Sequence, residues 1–367
     1  MLQKSVMVGM SGGVDSTVAA ALLKEQGYKV IGVTLKLWDD DRQESYNKTC
    51  CSLEDIDDAR NAAYDLGIPY YVLNFKDLFS SEVVGGFVNS YLEGYTPNPC
   101  IVCNQKIKFE AMLKKALSMD IDYIATGHYV RKEFDSTKGR YVLKKGLDGQ
   151  KDQSYVLYML SQEQLERSLF PLGTYTKVQV RKIAEQLNLK ISNKPDSQDI
   201  CFVGNGDYAD FIMKHTDQKI KPGPFKDTEG RTIGTHQGLI RYTVGQRKGL
   251  GAAFGRPMYV IEKRKEDNSI VLGTKEEAVF GGLVAEQMNY ILFDNPDEHF
   301  EANVKVRYHA KEAKAVITPM EDNKAEILFE EPQPYVAPGQ AVVLYKDDYV
   351  VGGGTITKSL RRKEVEP

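Results

Sequence analysis

The sequence of 367 residues has few of the features that mark membrane proteins or disulfide-stabilised secreted proteins. No stretch approaches the roughly 18 consecutive apolar residues that a membrane-spanning helix needs. The apolar run over residues 5–10 begins too close to Met1 for a signal peptide, so we expect a cytoplasmic protein without a membrane partner. Five cysteines are too few for a disulfide framework in so long a chain, and they remain candidate thiols, metal ligands or catalytic groups: Cys50, Cys51, Cys100, Cys103 and Cys201.

The chain also has no excess of positive charge. It contains 48 lysines and arginines against 51 acidic residues, which argues against a protein that coats nucleic acid indiscriminately. The charges are segregated, however: residues 39–60 contain eight carboxylates and three basic side chains, whereas residues 231–265 contain eight basic side chains and one carboxylate. The basic segment is either a solvated surface or a surface for phosphates, in which case Arg241, Arg247 and Lys248 would position RNA.

The order of apolar and polar segments predicts an α/β fold in three parts. Up to about residue 200, short runs rich in Val, Ile and Tyr alternate with helical patterns, which is typical of a Rossmann-like parallel sheet with crossover helices. Strands are expected at 4–8, 28–35, 70–75 and 122–125, and helices at 16–26, 53–66 and, capped by Thr176, up to 187. Such sheets bind ligands at the carboxyl ends of their strands.

The pattern changes after residue 203. A short helix near 208–215 and Gly-rich strands predict a small mixed central domain, and closely spaced strands at 303–309, 314–320, 324–329 and 341–351 predict a C-terminal antiparallel β-barrel. The expected domains are therefore residues 1–203, 204–280 and 281–367.

A glycine-rich loop stands directly between the first strand and the first helix. Gly12 and Gly13 lack Cβ atoms, so their backbone N–H groups can turn toward an anion, and the following helix adds its positive dipole end. The loop has no lysine, and the Gly-x-x-x-x-Gly-Lys-Ser/Thr pattern of kinase-type loops is absent from the chain. A polyphosphate cradle is favoured over a plain glycine turn.

This loop resembles that of the PP-loop ATP pyrophosphatases, which cleave ATP between its α and β phosphates. The resemblance implies that ATP is a substrate, that Asp15 lies near Mg²⁺, and that Leu35 and Gly127 border the adenine and ribose. The residues implied to hold the pyrophosphate are Gly9, Met10, Ser11, Gly12, Gly13, Val14, Asp15 and Ser16.

Two cysteines lie near a predicted loop-to-helix junction. Pro97 and Pro99 precede Cys100 and Cys103, and a helical pattern begins at Gln105. A helix N-terminus lowers the pKa of a nearby thiol and makes it a better nucleophile. A structural zinc site is the alternative. It needs four ligands, and Cys50 and Cys51, the other available pair, are adjacent and lack the usual spacing of two to four residues between paired ligands.

Together these segments resemble one family, the tRNA-specific 2-thiouridylases, over essentially the whole chain. Besides the loop, the resemblance rests on segments 98–104, 125–129, 151–155, 199–202, 245–251, 305–308 and 338–340. That family replaces O2 of the wobble uridine in certain tRNAs by sulfur. The resemblance implies that ATP adenylates the uracil O2, that Cys201 carries a persulfide supplied by a cysteine desulfurase or sulfur-relay protein, and that Cys103 is its nucleophilic partner in a disulfide that releases the sulfur.

The resemblance also implies binding residues. Asn98, Pro99 and Cys100 would line the pocket of a base splayed out of the anticodon loop. The residues implied to contact tRNA are His128, Lys151, Asp152, Gln153, Arg307, Tyr308 and Gln340.

Cys100 departs from the family pattern, in which many members have aspartate at this position. An acid/base role of that carboxylate therefore does not transfer. Conversely, Cys100, Cys103 and Cys201 could supply three thiolates to a [4Fe-4S] cluster, an alternative to persulfide chemistry. A PP-loop ligase or amidotransferase that adenylates a small substrate is the rival enzyme class, and it leaves the cysteines unused. A noncatalytic RNA-binding protein would bind tRNA without forming AMP.

Overall fold

The computed structural model describes residues 3–38, 53–189, 191–192, 194, 200–203, 207–294 and 296–361. Cys50, Cys51 and the segment 195–199 before Cys201 lie outside the described residues. The chain forms two compact units: the first comprises Met1–Val84, Cys100–Asn205 and Asp347–Val350, and the second comprises Gly85–Pro99, Gly206–Lys346 and Val351–Pro367. The three expected domain boundaries stay a prediction.

The first unit contains the predicted parallel sheet. Its strands have the order β3-β2-β1-β4-β7, with β1 at the centre and parallel to both neighbours. Central parallel strands are covered on both faces, which explains why the middle residues of β1 are all apolar and buried. The strands are β1 Ser5–Gly9, β2 Lys29–Lys36, β3 Tyr70–Asn74, β4 Tyr123–Ala125 and β7 Ser168–Leu169.

A hairpin that the sequence did not predict follows β4. Its strands are β5 Val130–Asp135 and β6 Arg140–Lys145, and Lys144 of β6 pairs with Tyr349. Arg131 donates to Asp348 at 2.8 Å, which explains why residues 347–350 are part of the first unit.

Helices flank the sheet, and α1 packs closely on it because its buried face is rich in the small side chains of Val and Ala and also includes Leu22 and Leu23. The cap predicted at Thr176 is present and is a capping box: the Thr176 hydroxyl accepts from the backbone N–H of Gln179, which caps α8. The helices of residues 14–186 are α1 Val14–Glu25, α2 Leu53–Asp65, α3 Lys76–Leu78, α4 Gly86–Leu92, α5 Pro99–Val102, α6 Met112–Leu117, α7 Gln162–Glu166 and α8 Lys177–Gln186. Two π-helical segments, Phe79–Gly85 and Cys103–Ala111, connect α3 to α4 and α5 to α6.

The second unit contains a small mixed sheet and a closed barrel. Helix α9 Tyr208–Lys214 precedes a four-stranded sheet of order β10-β11-β8-β9 around the buried Phe225. The strands of this sheet are β8 Gly223–Lys226, β9 Thr232–His236, β10 Tyr259–Arg264 and β11 Ser269–Gly273.

Six antiparallel strands form the predicted barrel, which closes where the first strand pairs with the last. They are β12 Val279–Tyr290, β13 Phe300–Lys305, β14 Ala313–Met320, β15 Lys324–Pro334, β16 Ala341–Lys346 and β17 Tyr349–Leu360. The single strand expected at 341–351 was wrong. The chain turns at Asp347, whose φ of 53° is left-handed, and the segment forms parts of two strands. In the described part of the chain, no helix is long and apolar enough to cross a bilayer.

Candidate nucleotide and thiol site

The predicted phosphate loop lies between the carboxyl end of β1 and the first turn of α1. Gly12 has a left-handed φ of 69°, and a Cβ atom there would lie 2.3 Å from the carbonyl oxygen of Asp55. Only glycine fits this close approach to α2. Gly13 caps α1 without any side-chain hydrogen bond to the first turn, so no side chain of the cap occupies the N–H groups that an anion would use.

Gly127 packs directly on this loop. A Cβ atom at Gly127 would lie 2.9 Å from the backbone nitrogen of Ser16 and from the carbonyl carbon of Asp15. The contact arises because β1 and β4 are neighbours in the sheet, with Val8 paired to Ala125. Leu35 is buried near the end of β2, the other neighbour of β1. Leu35 and Gly127, which were predicted to border the adenine and ribose, therefore lie at the carboxyl edge of the sheet, as the loop does.

Asp15 is the charged group of the loop, and its carboxylate has two partners from distant segments. The Nζ atom of Lys177 lies 2.8 Å from both Asp15 oxygens, and the hydroxyl of Tyr129 donates to Oδ1 at 2.7 Å. Lys177 and Tyr129 are both buried. The sequence did not identify either residue as functional, because nothing near the loop in the chain indicates a cation or a phenol.

The side chains of the segment 151–153, which was predicted to contact tRNA, form hydrogen bonds within their own loop and to the backbone of Tyr129. Asp152 accepts from the backbone N–H groups of Gly146 and Ser154, and from the Ser154 hydroxyl at 2.8 Å. The side chain of Gln153 accepts from the backbone N–H of Tyr129 at 3.0 Å. This segment is therefore connected to Asp15 through Tyr129.

His128 is buried, with an exposed fraction of only 7%. Its Nδ1 lies 2.7 Å from the Thr126 hydroxyl. Burial, and secondarily the charge of Lys108, lowers the pKa of His128 well below its usual 6.5. The imidazole is therefore neutral at neutral pH and brings no positive charge to a phosphate.

The thiols differ in exposure. Cys100 is exposed on α5, Cys103 is buried at the start of the π-helical segment, and Cys201 is half-buried in a turn. The helix begins at Pro99 and not at Gln105 as the sequence predicted, because proline is tolerated in a first helical turn, where its missing N–H leaves no bond unmade.

The residues that follow Cys201 and Cys103 in the chain make defined contacts. Phe202, next to Cys201, contacts Phe79 with ring centroids 5.7 Å apart. Asn104, next to Cys103, is buried and donates to the carbonyl of Val156 at 3.0 Å, while its Oδ1 has no hydrogen-bond partner among the described residues. Asn104 is a further residue that the sequence did not single out.

Within the described ranges, no three His, Cys, Asp or Glu side chains are grouped so that they could hold a metal ion. The iron–sulfur alternative, with Cys100, Cys103 and Cys201 as ligands, is therefore not supported. A zinc site built on the described cysteines has no support for the same reason.

In the second unit, Arg307 and Tyr308 follow β13. Arg307 is exposed, and its guanidinium lies 4.7 Å from the ring centre of Tyr335. Gln340 is less accessible, since its Nε2 donates to the carbonyl of Thr96 at 2.9 Å. Asn98 is half-buried and Pro99 is buried.

The basic segment borders two surface depressions in the second unit. Arg247 and Arg256 line a depression of about 620 Å³, and Arg241 and Lys248 line one of about 560 Å³. Arg241 also forms ion pairs of 3.4 and 3.3 Å with Asp207 and Asp210. Its charge is thus partly compensated within the protein.

Comparisons with known proteins match the chain along nearly all its length. A protein-family model described as tRNA methyl transferase HUP domain matches residues 4–205, one described as tRNA methyl transferase PRC-barrel domain matches residues 209–274, and one described as aminomethyltransferase beta-barrel domain matches residues 280–356. The family-model descriptions refer to methyl transfer, whereas the names of the full-length relatives refer to thiolation of uridine.

The chain is 55% identical to the tRNA-specific 2-thiouridylase MnmA of Acetivibrio thermocellus over 97% of this chain and 100% of that protein. It is 54% identical to the protein of the same name from Moorella thermoacetica over 95% of this chain and 98% of the relative. The corresponding Clostridioides difficile protein is 50% identical, with 98% and 99% covered.

Proposed function

The chain belongs to the family of tRNA-specific 2-thiouridylases, a family of tRNA sulfurtransferases, and from this premise we propose that it activates O2 of the wobble uridine with ATP and then replaces it by sulfur. The observation that carries the proposal is the start of α1, where the first turn has no side-chain cap and an Asp15–Lys177 pair lies beside it. This arrangement suits a polyphosphate substrate.

In the first step, the loop residues Gly9 to Ser16 bind the β and γ phosphates of ATP, with the N–H groups of the first turn of α1 as donors. The uracil O2 attacks the α-phosphorus, the bond between the α-phosphorus and the bridging oxygen breaks, and pyrophosphate leaves. The helix dipole and the N–H groups stabilise the charge that accumulates on pyrophosphate. Leu35 and Gly127 border the adenosine.

Mg²⁺ would neutralise part of the phosphate charge in this step. Asp15 fits such an ion only as one ligand among several, because Oδ1 already accepts from Tyr129 and both oxygens accept from Lys177. Mg²⁺ commonly binds through one or two carboxylates together with substrate phosphates and water, so the remaining ligands would come from ATP and solvent.

In the second step, the terminal sulfur of a persulfide on Cys201 attacks C2, and the C2–O2 bond breaks with AMP as the leaving group. The Cys103 thiolate then attacks Sγ of Cys201, which forms a disulfide and leaves the sulfur on the uracil. A dithiol reductant restores both thiols. The half-buried Cys201 suits loading by a cysteine desulfurase or sulfur-relay protein, whereas the buried Cys103 is protected from unwanted oxidation.

The tRNA would be bound by residues of both units. Arg307, Tyr308 and Lys151 are the most direct candidates, since their side chains are exposed or half-buried. Asp152, Gln153, His128 and Gln340 are proposed to contribute through the loops they hold. Asn98, Pro99 and Cys100 would line the pocket of the target base. A location in the cytoplasm is part of the same proposal.

The variant Cys201→Ser tests the assignment of the sulfur carrier. It removes the persulfide but leaves the phosphate loop intact, so we expect tRNA-dependent AMP formation to continue, provided the adenylate hydrolyses, while 2-thiouridine formation is lost. The measurements are chromatography of labelled AMP and mass spectrometry of tRNA nucleosides. Cys51→Ser, for which we propose no chemistry, is the matched control and should retain both activities. Normal thiolation by Cys201→Ser would refute the assignment.

The same assays separate the rival functions. A PP-loop ligase or amidotransferase would form AMP with a small substrate in the absence of tRNA. A noncatalytic RNA-binding protein would form no AMP with tRNA. The near-complete match to 2-thiouridylases supports neither alternative.

A further inference from the structure

The phosphate loop has no lysine in its sequence, yet an ammonium group lies against it. Lys177 comes 162 residues after Asp15 in the chain, and its Nζ atom is 2.8 Å from both carboxylate oxygens. The Lys177 side chain is only 10% exposed. A cation so well shielded from solvent interacts more strongly with nearby charges than a surface lysine does.

Several contacts fix Lys177 in this position. It is the first residue of α8, directly after the Thr176 cap, and its backbone N–H donates to Asp148 at 2.9 Å. Helices α8 and α1 share one apolar core, which includes Val180 and Ala184 of α8. The ammonium is therefore brought to the loop by packing between helices and does not depend on a flexible surface side chain.

Without a cation beside it, the Asp15 carboxylate would oppose ATP binding, because a polyphosphate and a carboxylate close together repel each other. Kinase-type loops supply a lysine from within the loop. Here the positive charge comes from a different segment, and it compensates Asp15 at the first turn of α1, whose N–H groups no capping side chain occupies.

We propose that Lys177 is a phosphate-positioning residue of this site: it fixes Asp15, cancels its charge, and stabilises the polyphosphate of ATP and the departing pyrophosphate. The inference rests on the proposed function for the identity of the nucleotide. It adds a residue to the site that neither the loop sequence nor its neighbours in the chain indicate.

The test compares Lys177→Met with Lys182→Met, an exposed lysine of the same helix. The assays are the KM for ATP in tRNA-dependent AMP formation, inhibition by inorganic pyrophosphate, and binding of adenosine, which has no phosphate. We expect Lys177→Met to raise the KM for ATP and weaken pyrophosphate inhibition by at least about tenfold, because a charge-assisted contact is lost. Adenosine binding should be unchanged, and Lys182→Met should behave like the wild type.

A purely structural ion pair predicts a different result. Binding of pyrophosphate in the presence of EDTA, where Asp15 holds no Mg²⁺, separates the two: removal of both charges in Asp15→Asn/Lys177→Met would then restore pyrophosphate affinity for a purely structural pair, whereas our proposal predicts that the loss persists. The double variant also serves if Lys177→Met alone fails to fold. Unchanged pyrophosphate inhibition in a folded variant, or an equal loss of adenosine and ATP binding, would overturn the proposal. If the wild type binds pyrophosphate but forms no tRNA-dependent AMP, the proposed function fails independently of Lys177.

Discussion

Close backbone contacts at Gly127 make the proposed nucleotide site sensitive to the addition of a single methyl group. An added methyl group would have to displace the backbone of Asp15 and Ser16, which it would meet at 2.9 Å. The site is therefore formed by backbone positions as much as by side chains.

Replacement of Gly127 by alanine should consequently damage ATP use more than folding. We expect kcat/KM for ATP to fall by about ten- to hundredfold, since small displacements of reacting groups have effects of that size. Gly149→Ala is the matched control, because a Cβ atom there has no neighbour within 4 Å. Steady-state AMP formation by both variants checks this, and equal activity would contradict the proposed role of the contact.

The buried His128 predicts a pH dependence of stability. Burial lowers its pKa in the folded protein well below 6.5, so the unfolded chain binds a proton that the folded chain does not. The free energy of unfolding therefore falls as the pH drops below about 6.5, by up to about 1.4 kcal/mol per pH unit.

His128→Gln removes this titration while an amide keeps hydrogen-bonding capacity toward Thr126. Between about pH 7.5 and about pH 5.5, the Tm of the wild type should fall further than that of the variant, as differential scanning calorimetry would measure. His236, whose pKa is also lowered by burial, is present in both proteins, so its contribution cancels in the comparison. Parallel Tm curves would show that His128 is not the responsible group.

Single residues of the loop were predictable because their neighbours in the chain define them. Gly12 and Gly13 follow a strand and precede a helix, and that local context indicates an anion site. Lys177 and Tyr129 were not predictable, because their partner Asp15 is distant in sequence and only the packed sheet and helices bring them together.

At the scale of elements, the turn 338–340 of the barrel supports the segment that leads into the predicted base pocket. The backbone N–H of Thr96 donates to the carbonyl of Pro338 at 2.8 Å, and Gln340 donates to the carbonyl of Thr96. Gly339 has a φ of 93°, and a Cβ atom there would lie 2.7 Å from the Thr96 nitrogen. The turn and the segment before Asn98 are thus tightly joined.

Gln340→Ala should therefore affect turnover. Loss of the hydrogen bond to Thr96 frees the segment that positions the base, and we expect a several-fold lower kcat for thiolation, in line with about 1 kcal/mol for such a bond.

Arg307→Ala, which removes an exposed charge, should instead raise the KM for tRNA with little change in kcat. Gln333→Ala is the control within the barrel. If Gln340→Ala and Arg307→Ala change the same kinetic constant, the supporting role of Gln340 is wrong.

The sequence predicted most elements of the parallel sheet and of the barrel, because alternation and helical periodicity are strong in those segments. It missed the β5–β6 hairpin because its strands combine charged and apolar side chains, although the turn from Asp135 to Gly139 has typical turn residues. It also missed the π-helical segment that begins at Cys103. Hydrogen bonds from i to i+5 change the spacing of apolar residues too little to be recognised over nine residues.

At the scale of the whole molecule, the two units contain different groups of predicted site residues. The first unit contains the phosphate loop, Cys103 and Cys201, and the second contains the basic segment, Arg307 and Tyr308. Under the proposed function, activation and sulfur transfer would belong to the first unit and much of the RNA binding to the second. The distance in sequence between the two thiols is why their pairing was inferred from family resemblance and not from spacing.

The most direct test is mass spectrometry of nucleosides from tRNA incubated with the protein, Mg²⁺ and a persulfide donor, with and without ATP. Our account predicts that 2-thiouridine replaces the wobble uridine only when ATP is present, with AMP and pyrophosphate formed alongside it. Thiolation without ATP, or AMP formation from tRNA with no sulfur incorporated at any uridine, would contradict it.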